Sequence, residues 1–119
     1  MDHDSRAESR IEVAEELLRH VVVSLVRRDG IALSTQQFGV FLACYLWEEA
    51  KTVRGLVQEL EIPRLVVSRA LDKLTELDLI RREPDPRDAR NQRLIQTTAG
   101  HEMLSELHRM TAEAELPTI

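Results

Sequence analysis

Five arginines face three carboxylates between residues 81 and 93: Arg81, Arg82, Arg87, Arg90 and Arg93 against Glu83, Asp85 and Asp88. A guanidinium is a planar fork of donors that can meet a phosphate, or one edge of a guanine, with two bonds at once. A sparser basic set, Arg64, Arg69 and Lys73, lies upstream beside Leu65 and Val66. Groups suited to catalysis are present but not arranged for it. There is no nucleophile elbow, no phosphate loop and no His-Glu-x-x-His pair. His101 and His108 lie two helical turns apart, too far to chelate as an i,i+4 pair, and His20 could join them only through tertiary packing. No enzyme, metal or cofactor is therefore expected. The lone Cys44, among Leu42, Ala43, Tyr45 and Leu46, reads as a small buried hydrophobe. One cysteine cannot form an internal disulfide, which suits a reducing cytoplasm.

The net charge of −5 seems to oppose an anionic partner, but its distribution does not. Residues 1–47 carry 5 basic and 7 acidic groups, residues 48–96 carry 10 and 10, and residues 97–119 carry 1 and 4. An acidic body with a basic tip can bind a polyanion, because only charges near the partner enter the contact. The 119 residues suit one domain, and 43% apolar content suits a folded one. No apolar run approaches the roughly 20 residues of a membrane span. The polar stretch Met1 to Arg10 is unlike a secretory signal.

Periodicity supplies the elements that must position these groups. Ile11, Ala14, Leu17, Leu18, Val21, Val22 and Leu25 predict a helix over 7–28. Val23 and Val26 widen its stripe, as expected for a helix covered by its own domain on one side and a second copy on the other. Asp29-Gly30 should end it. Ser34 with Gln37 predicts a capping box, followed by a helix with Phe38, Phe41, Leu42, Tyr45 and Leu46 on its core face and Trp47 in core or interface. Thr52 should cap a short helix, Val53–Leu60. Glu61-Ile62-Pro63 breaks the pattern, and a helix over 64–77 buries Val67, Ala70, Leu71, Leu74 and Leu77. Short helix, tight turn and second helix make a helix-turn-helix. The period then falls to two: Leu79–Arg82 and Arg93–Gln96 read as strands, with the polar, proline-rich 83–92 as a long hairpin tip. Thr97 or Thr98 should cap a last helix built on Met103, Leu104, Leu107 and Met110, with residues 117–119 frayed.

These elements describe a mainly α (α+β) chain, a winged helix-turn-helix with a two-stranded wing and terminal dimerisation helices. One domain is expected over 1–119, with an N-terminal helix (7–28), helix-turn-helix plus wing (34–96) and a C-terminal helix (97–116). From Leu33 to Leu107 the chain resembles the MarR family. Asp85-Pro86-Arg87-Asp88-Ala89-Arg90-Asn91-Gln92-Arg93, followed by Thr97 and Gly100, is similar to the wing of that family, whose Asp-x-Arg core is matched by Asp88 and Arg90. Val67 to Leu74 resembles its recognition helix. The family usually has Gly where this chain has Glu61 and Asp78, and Leu where it has Gln96. Asp tolerates left-handed backbone better than most residues, whereas Glu61 should be mildly strained there or sit in a different turn. Residues 97–119 are shorter than the usual C-terminal helical region, which implies an altered dimer and a reduced effector pocket.

The resemblance implies a transcriptional regulator, a repressor acting as a homodimer on a pseudo-palindromic operator in double-stranded DNA. Helix 64–77 would enter the major groove, with Arg69 on a guanine edge and Leu65 or Val66 on a thymine methyl. Ser68 shares the outward face, and Arg64 and Lys73 would meet phosphates. Thr52 at a helix N-terminus suits the DNA backbone. The wing, 83–92, would bring Arg87 and Arg90 to the minor groove, with Asp88 pairing with Arg90 or another arginine to fix its direction. Alternatives remain: a winged-helix protein adaptor or anti-repressor, or a regulator with an added ligand or redox response.

Overall fold

The computed structural model describes residues 2–28 and 32–116. Its elements are α1 (Asp2–Arg27), α2 (Thr35–Leu46), α3 (Val53–Leu60), α4 (Arg64–Glu76), β1 (Ile80–Asp85), β2 (Asp88–Gln96) and α5 (Thr98–Glu113). They fall into two compact units, one of residues 1–30 with 105–119 and the other Ile31–Leu104. The proposed helix stop at Asp29-Gly30 and the fraying of 117–119 lie outside the described residues.

In the first unit, α1 begins before the predicted Ala7, at Asp2, and Asp2 and Asp4 are acidic residue types that suit the positive end of a helix dipole. Its apolar residues divide between two faces. Val13, Leu17, Val21 and Leu25 are half-buried. Ile11, Leu18, Val22 and Val26 are exposed, Val26 to 78%. The last turns of α5 bury Leu107 and Met110.

The second unit is built around Phe41, Leu56, Val67, Leu71, Leu74, Leu79 and Ile80, all essentially inaccessible. The capping box forms as predicted: Ser34 accepts from Gln37 N, and the Gln37 side chain accepts from Ser34 N. Leu46 departs from its predicted core place and is 57% exposed, because α2 stops there and Trp47 turns extended. Glu61 closes α3 at φ 53°, so this chain keeps the left-handed turn without glycine. Asp78 sits at φ 59° after α4. There Asp78 N donates to Thr75 O (3.0 Å) and Leu79 N to Leu74 O (2.9 Å), the paired bonds of a Schellman stop.

The wing strands are longer than predicted. β1 and β2 pair antiparallel from Ile80↔Gln96 to Pro84↔Gln92, with an irregularity before Asp85↔Asp88. The expected long tip shrinks to Pro86-Arg87, because a two-stranded sheet has only edge strands and can carry Pro84.

Thr97, not Thr98, caps α5: its Oγ1 accepts from Gly100 N (2.9 Å) and donates to Asp78 O (2.6 Å). Tyr45 Oη donates to Leu79 O (2.6 Å) and accepts from Thr97 N (3.1 Å). Two backbone groups flanking the base of the wing, Leu79 O and Thr97 N, are thus tied to α2.

Candidate nucleic-acid interface

All the predicted contact residues lie in the unit Ile31–Leu104. α4 buries Val67, Ala70, Leu71 and Leu74, which turns Arg64, Leu65, Arg69 and Asp72 outward. Leu65 is 59% exposed, which puts an apolar side chain among the arginines of this face. Ser68 is half-buried. Val66 is also half-buried, against expectation, since its side lies in a small cleft with Ser34, Gln37 and Arg69. Lys73 is held by Glu76 at 3.6 Å. Asp72 brings an unforeseen carboxylate to the outward face, and Arg82 neutralises it at 2.9 Å.

The wing is docked on the start of α3. Thr52 caps that helix, its Oγ1 accepting from Gly55 N at 3.0 Å, and also forms an antiparallel bridge with Arg93. Leu94 N donates to Lys51 O at 2.9 Å. A second first-turn donor of α3, Arg54 N, is met at 3.2 Å by Oδ1 of Asn91, which also accepts from Gln92 N at 3.1 Å. Asn91 is only 4% exposed. Lys51, Thr52, Asp85, Pro86, Arg87 and Arg93 line the cleft between wing tip and α3.

Asp88 pairs with an arginine as expected, and of the arginines open to it the structure selects Arg54. It does not hold the Arg90 guanidinium: its Oδ1 accepts from Arg90 N (3.1 Å) and its Oδ2 from Arg54 Nη2 (3.0 Å). The Arg54 bond, then the Arg90 amide, holds the Asp88 carboxyl below its ordinary range. An analogous turn forms where Asp85 Oδ1 accepts from Arg87 N (3.0 Å). Among the described residues of α4 and the wing, Arg64, Arg69, Arg81, Arg87 and Arg90 make no ion pair, leaving five guanidinium groups there available to an outside anion.

Burial pushes the Cys44 thiol up to about 12, so near neutrality it carries its proton and is a poor nucleophile. Among the described residues no group of three or more His, Cys, Asp or Glu side chains is placed to hold a metal ion. Nor is any described helix long and apolar enough to cross a membrane.

A family model matches residues 33–91, from just before α2 to the buried asparagine of the wing, and its family is MarR. The chain belongs to the MarR family. Solved structures agree on the winged-helix fold of these transcriptional regulators. A MarR variant from E. coli complexed with operator DNA is 22% identical, covers 85% of this chain and 69% of its own, and superposes with a TM-score of 0.65. S. aureus MepR bound to ethidium bromide is 20% identical over 85% of this chain and 71% of its own, also at 0.65. The transcriptional regulator Tm0710 from Thermotoga maritima is 20% identical over 93% and 72%, again at 0.65. No curated protein matches the chain.

Within this MarR-family fold, sequence reasoning overlooked Arg54, Asn91 and Asp72. Asn91 and Asp72 fall inside stretches that carry the resemblance, yet nothing in the order of residues links Asn91 or Asp88 to a helix some 35 positions upstream. A polar Asn in a strand of arginines was the available signal, since asparagine is poor in strands unless it has a partner.

Proposed function

We propose that this MarR-family chain is a sequence-specific regulator that acts by binding double-stranded DNA, as a homodimer on a pseudo-palindromic operator, and that it represses transcription. The observation that carries the reading is that, among the described residues, Arg64 and Arg69 on α4 and Arg87 and Arg90 on the wing are exposed and outside any ion pair. In this reading α4 enters the major groove, with Arg69 on a guanine edge and Leu65 against a thymine methyl. Ser68 and Val66 shape that surface, and Arg64, Lys73 and the Thr52-capped start of α3 meet phosphates. Arg87 and Arg90 take the neighbouring minor groove, where narrow A·T-rich sequence attracts arginine. Asp88 serves indirectly, by holding Arg54 and the Arg90 backbone. The operator complex of the E. coli relative supports the choice of partner.

Homodimerisation is supported by Ile11, Leu18, Val22 and Val26 of α1, an exposed apolar face suited to a second copy. Two-fold symmetry would set the recognition helices about one DNA turn apart, roughly 34–36 Å. The protein would work where the DNA is, in the cytoplasm, with no cofactor. Binding to labelled duplex over a salt series tests the proposal. The logarithm of affinity should fall linearly with the logarithm of salt, and Arg90→Ala should flatten that slope by roughly 0.9 if its guanidinium neutralises one phosphate at the edge of the minor groove. A wild-type protein that ignores duplex DNA at low salt would overturn the reading in favour of a protein partner.

A further inference from the structure

We infer that Asn91 is the positioning residue of the wing: through its buried amide oxygen it completes the N-terminal cap of α3 and so sets where Arg87 and Arg90 point. Of the donors that the first turn of α3 leaves without a partner inside the helix, two are met by side chains. One, Gly55 N, is met locally by Thr52; the other, Arg54 N, is met only by Asn91, from a different element. The same oxygen accepts from Gln92 N, which fixes the amide orientation in β2. Asn91 is 4% exposed, and its loss takes from the part-buried Arg54 N–H its one protein acceptor among the described residues.

The remaining ties at this junction are of two kinds. Leu94 N to Lys51 O and the Thr52↔Arg93 bridge hold the base of β2, toward its end at Gln96. The Arg54–Asp88 pair holds the tip, but both side chains are substantially exposed, at 54% and 37%, and salt screens such a pair. Asn91 is the last buried tie before the tip turns. Arg90 is its neighbour in sequence, and the Arg90 amide is itself held by Asp88. With Asn91 in place, a buried bond ties the wing to α3 next to the tip; without it, the tie that remains between α3 and the segment from Asp85 to Arg90 is the exposed Arg54–Asp88 pair.

The consequence for affinity rests on the DNA-binding reading, whereas the docking is measured in the free protein. Amide hydrogen exchange is compared for wild type, Asn91→Ala and Asn91→Asp, the last keeping an acceptor at the same reach. Asn91→Ala should speed exchange at Arg54, Arg90 and Gln92 by about tenfold or more while Ala70 to Leu74 of α4 stay protected. Asn91→Asp should restore protection. Unchanged exchange at Arg54, equal acceleration along α4, or no rescue by Asn91→Asp each overturns the inference.

A double-mutant cycle on a labelled duplex then reads function. If Asn91 acts through the wing arginines, Asn91→Ala and Arg90→Ala each weaken binding, and together they weaken it little beyond the larger single effect. Effects that multiply independently overturn the positioning role. A wild-type protein that binds no duplex defeats the DNA reading alone, and the exchange data then decide Asn91.

Discussion

The hydroxyl of Tyr45 occupies the space that a side chain on residue 100 would need. A Cβ built on Gly100 runs into Tyr45 Oη and also meets the Leu79 carbonyl at 2.5 Å. That hydroxyl is simultaneously bonded to Leu79 O and Thr97 N, so it cannot retreat without breaking both bonds. The glycine of the Thr-x-x-Gly stretch is therefore a packing requirement: it lets α2 reach the junction between α4, the wing and α5.

Gly100→Ala should destabilise the protein by about 1–3 kcal/mol, the usual cost of forcing a methyl into a full core. Tyr45→Phe should cost about 1–3 kcal/mol by leaving Leu79 O and Thr97 N without their partner. In combination the two should cost less than their sum, because the nearest of the clashing atoms, the Tyr45 oxygen, is gone while the Leu79 carbonyl stays. Denaturant midpoints of the four proteins check this; strict additivity would mean that the two residues do not compete for space.

Glu61→Gly should stabilise the fold by about 0.5–1 kcal/mol. Left-handed backbone costs an L-residue about 1–2 kcal/mol, and the greater freedom of unfolded glycine returns part of that. Asp78→Gly should gain less, since Asp tolerates the conformation better than Glu. Thermal melts that rank Glu61→Gly above Asp78→Gly above wild type fit; a lower melting temperature for Glu61→Gly does not.

Asp72 lies on the proposed DNA face of α4 and occupies Arg82. Asp72→Ala removes a negative charge and frees a positive one, so affinity for non-specific duplex should rise about 3–10-fold at low salt, with a steeper salt slope. Fluorescence anisotropy on a random-sequence duplex measures it. Weaker binding would instead place Asp72 among residues that orient Arg82 for the contact.

Wing docking should depend on pH only in acid. The folded Asp88 carboxyl is held low, chiefly by Arg54 and then by the Arg90 amide. A depressed carboxyl contributes stability that is fully present above its unfolded value, about 3.9, and lost as pH falls through the lower folded value. Amide shifts of Arg54 and Arg90 should stay flat from about pH 8 to 5 and move below about pH 4. Asp88→Asn should abolish that movement; a transition near neutrality would point to another group.

Cys44 should be inert in the folded protein. With its thiol pushed up to about 12 by burial, alkylation at neutral pH should run orders of magnitude slower than in denaturant. Reaction at equal rates would show that α2 opens readily.

Much of this was legible in the order of residues, and for local reasons. The Ser34–Gln37 box, the Thr52 cap and the helix break at Pro63 each depend on neighbours within four positions, so the chain displays them directly. The buried stripe of α4 follows from a period of 3.6, and Arg64, Leu65 and Arg69 turn outward because Val67, Ala70, Leu71 and Leu74 must turn in. The left-handed sites at Glu61 and Asp78 were visible only through the glycines that relatives carry there. Tertiary structure decided the rest. Sequence periodicity assigns Leu46 to a core it does not reach, because only the packed fold shows where α2 ends. The partner of Asp88 is Arg54, 34 positions away, and the oxygen that finishes the α3 cap comes from Asn91, 37 positions away. Hydrogen bonds and ion pairs act over a few ångströms of space whatever the separation along the chain. A carboxylate flanked by several arginines can therefore be read from sequence as paired, but which arginine it takes is settled by the docking of wing on helix.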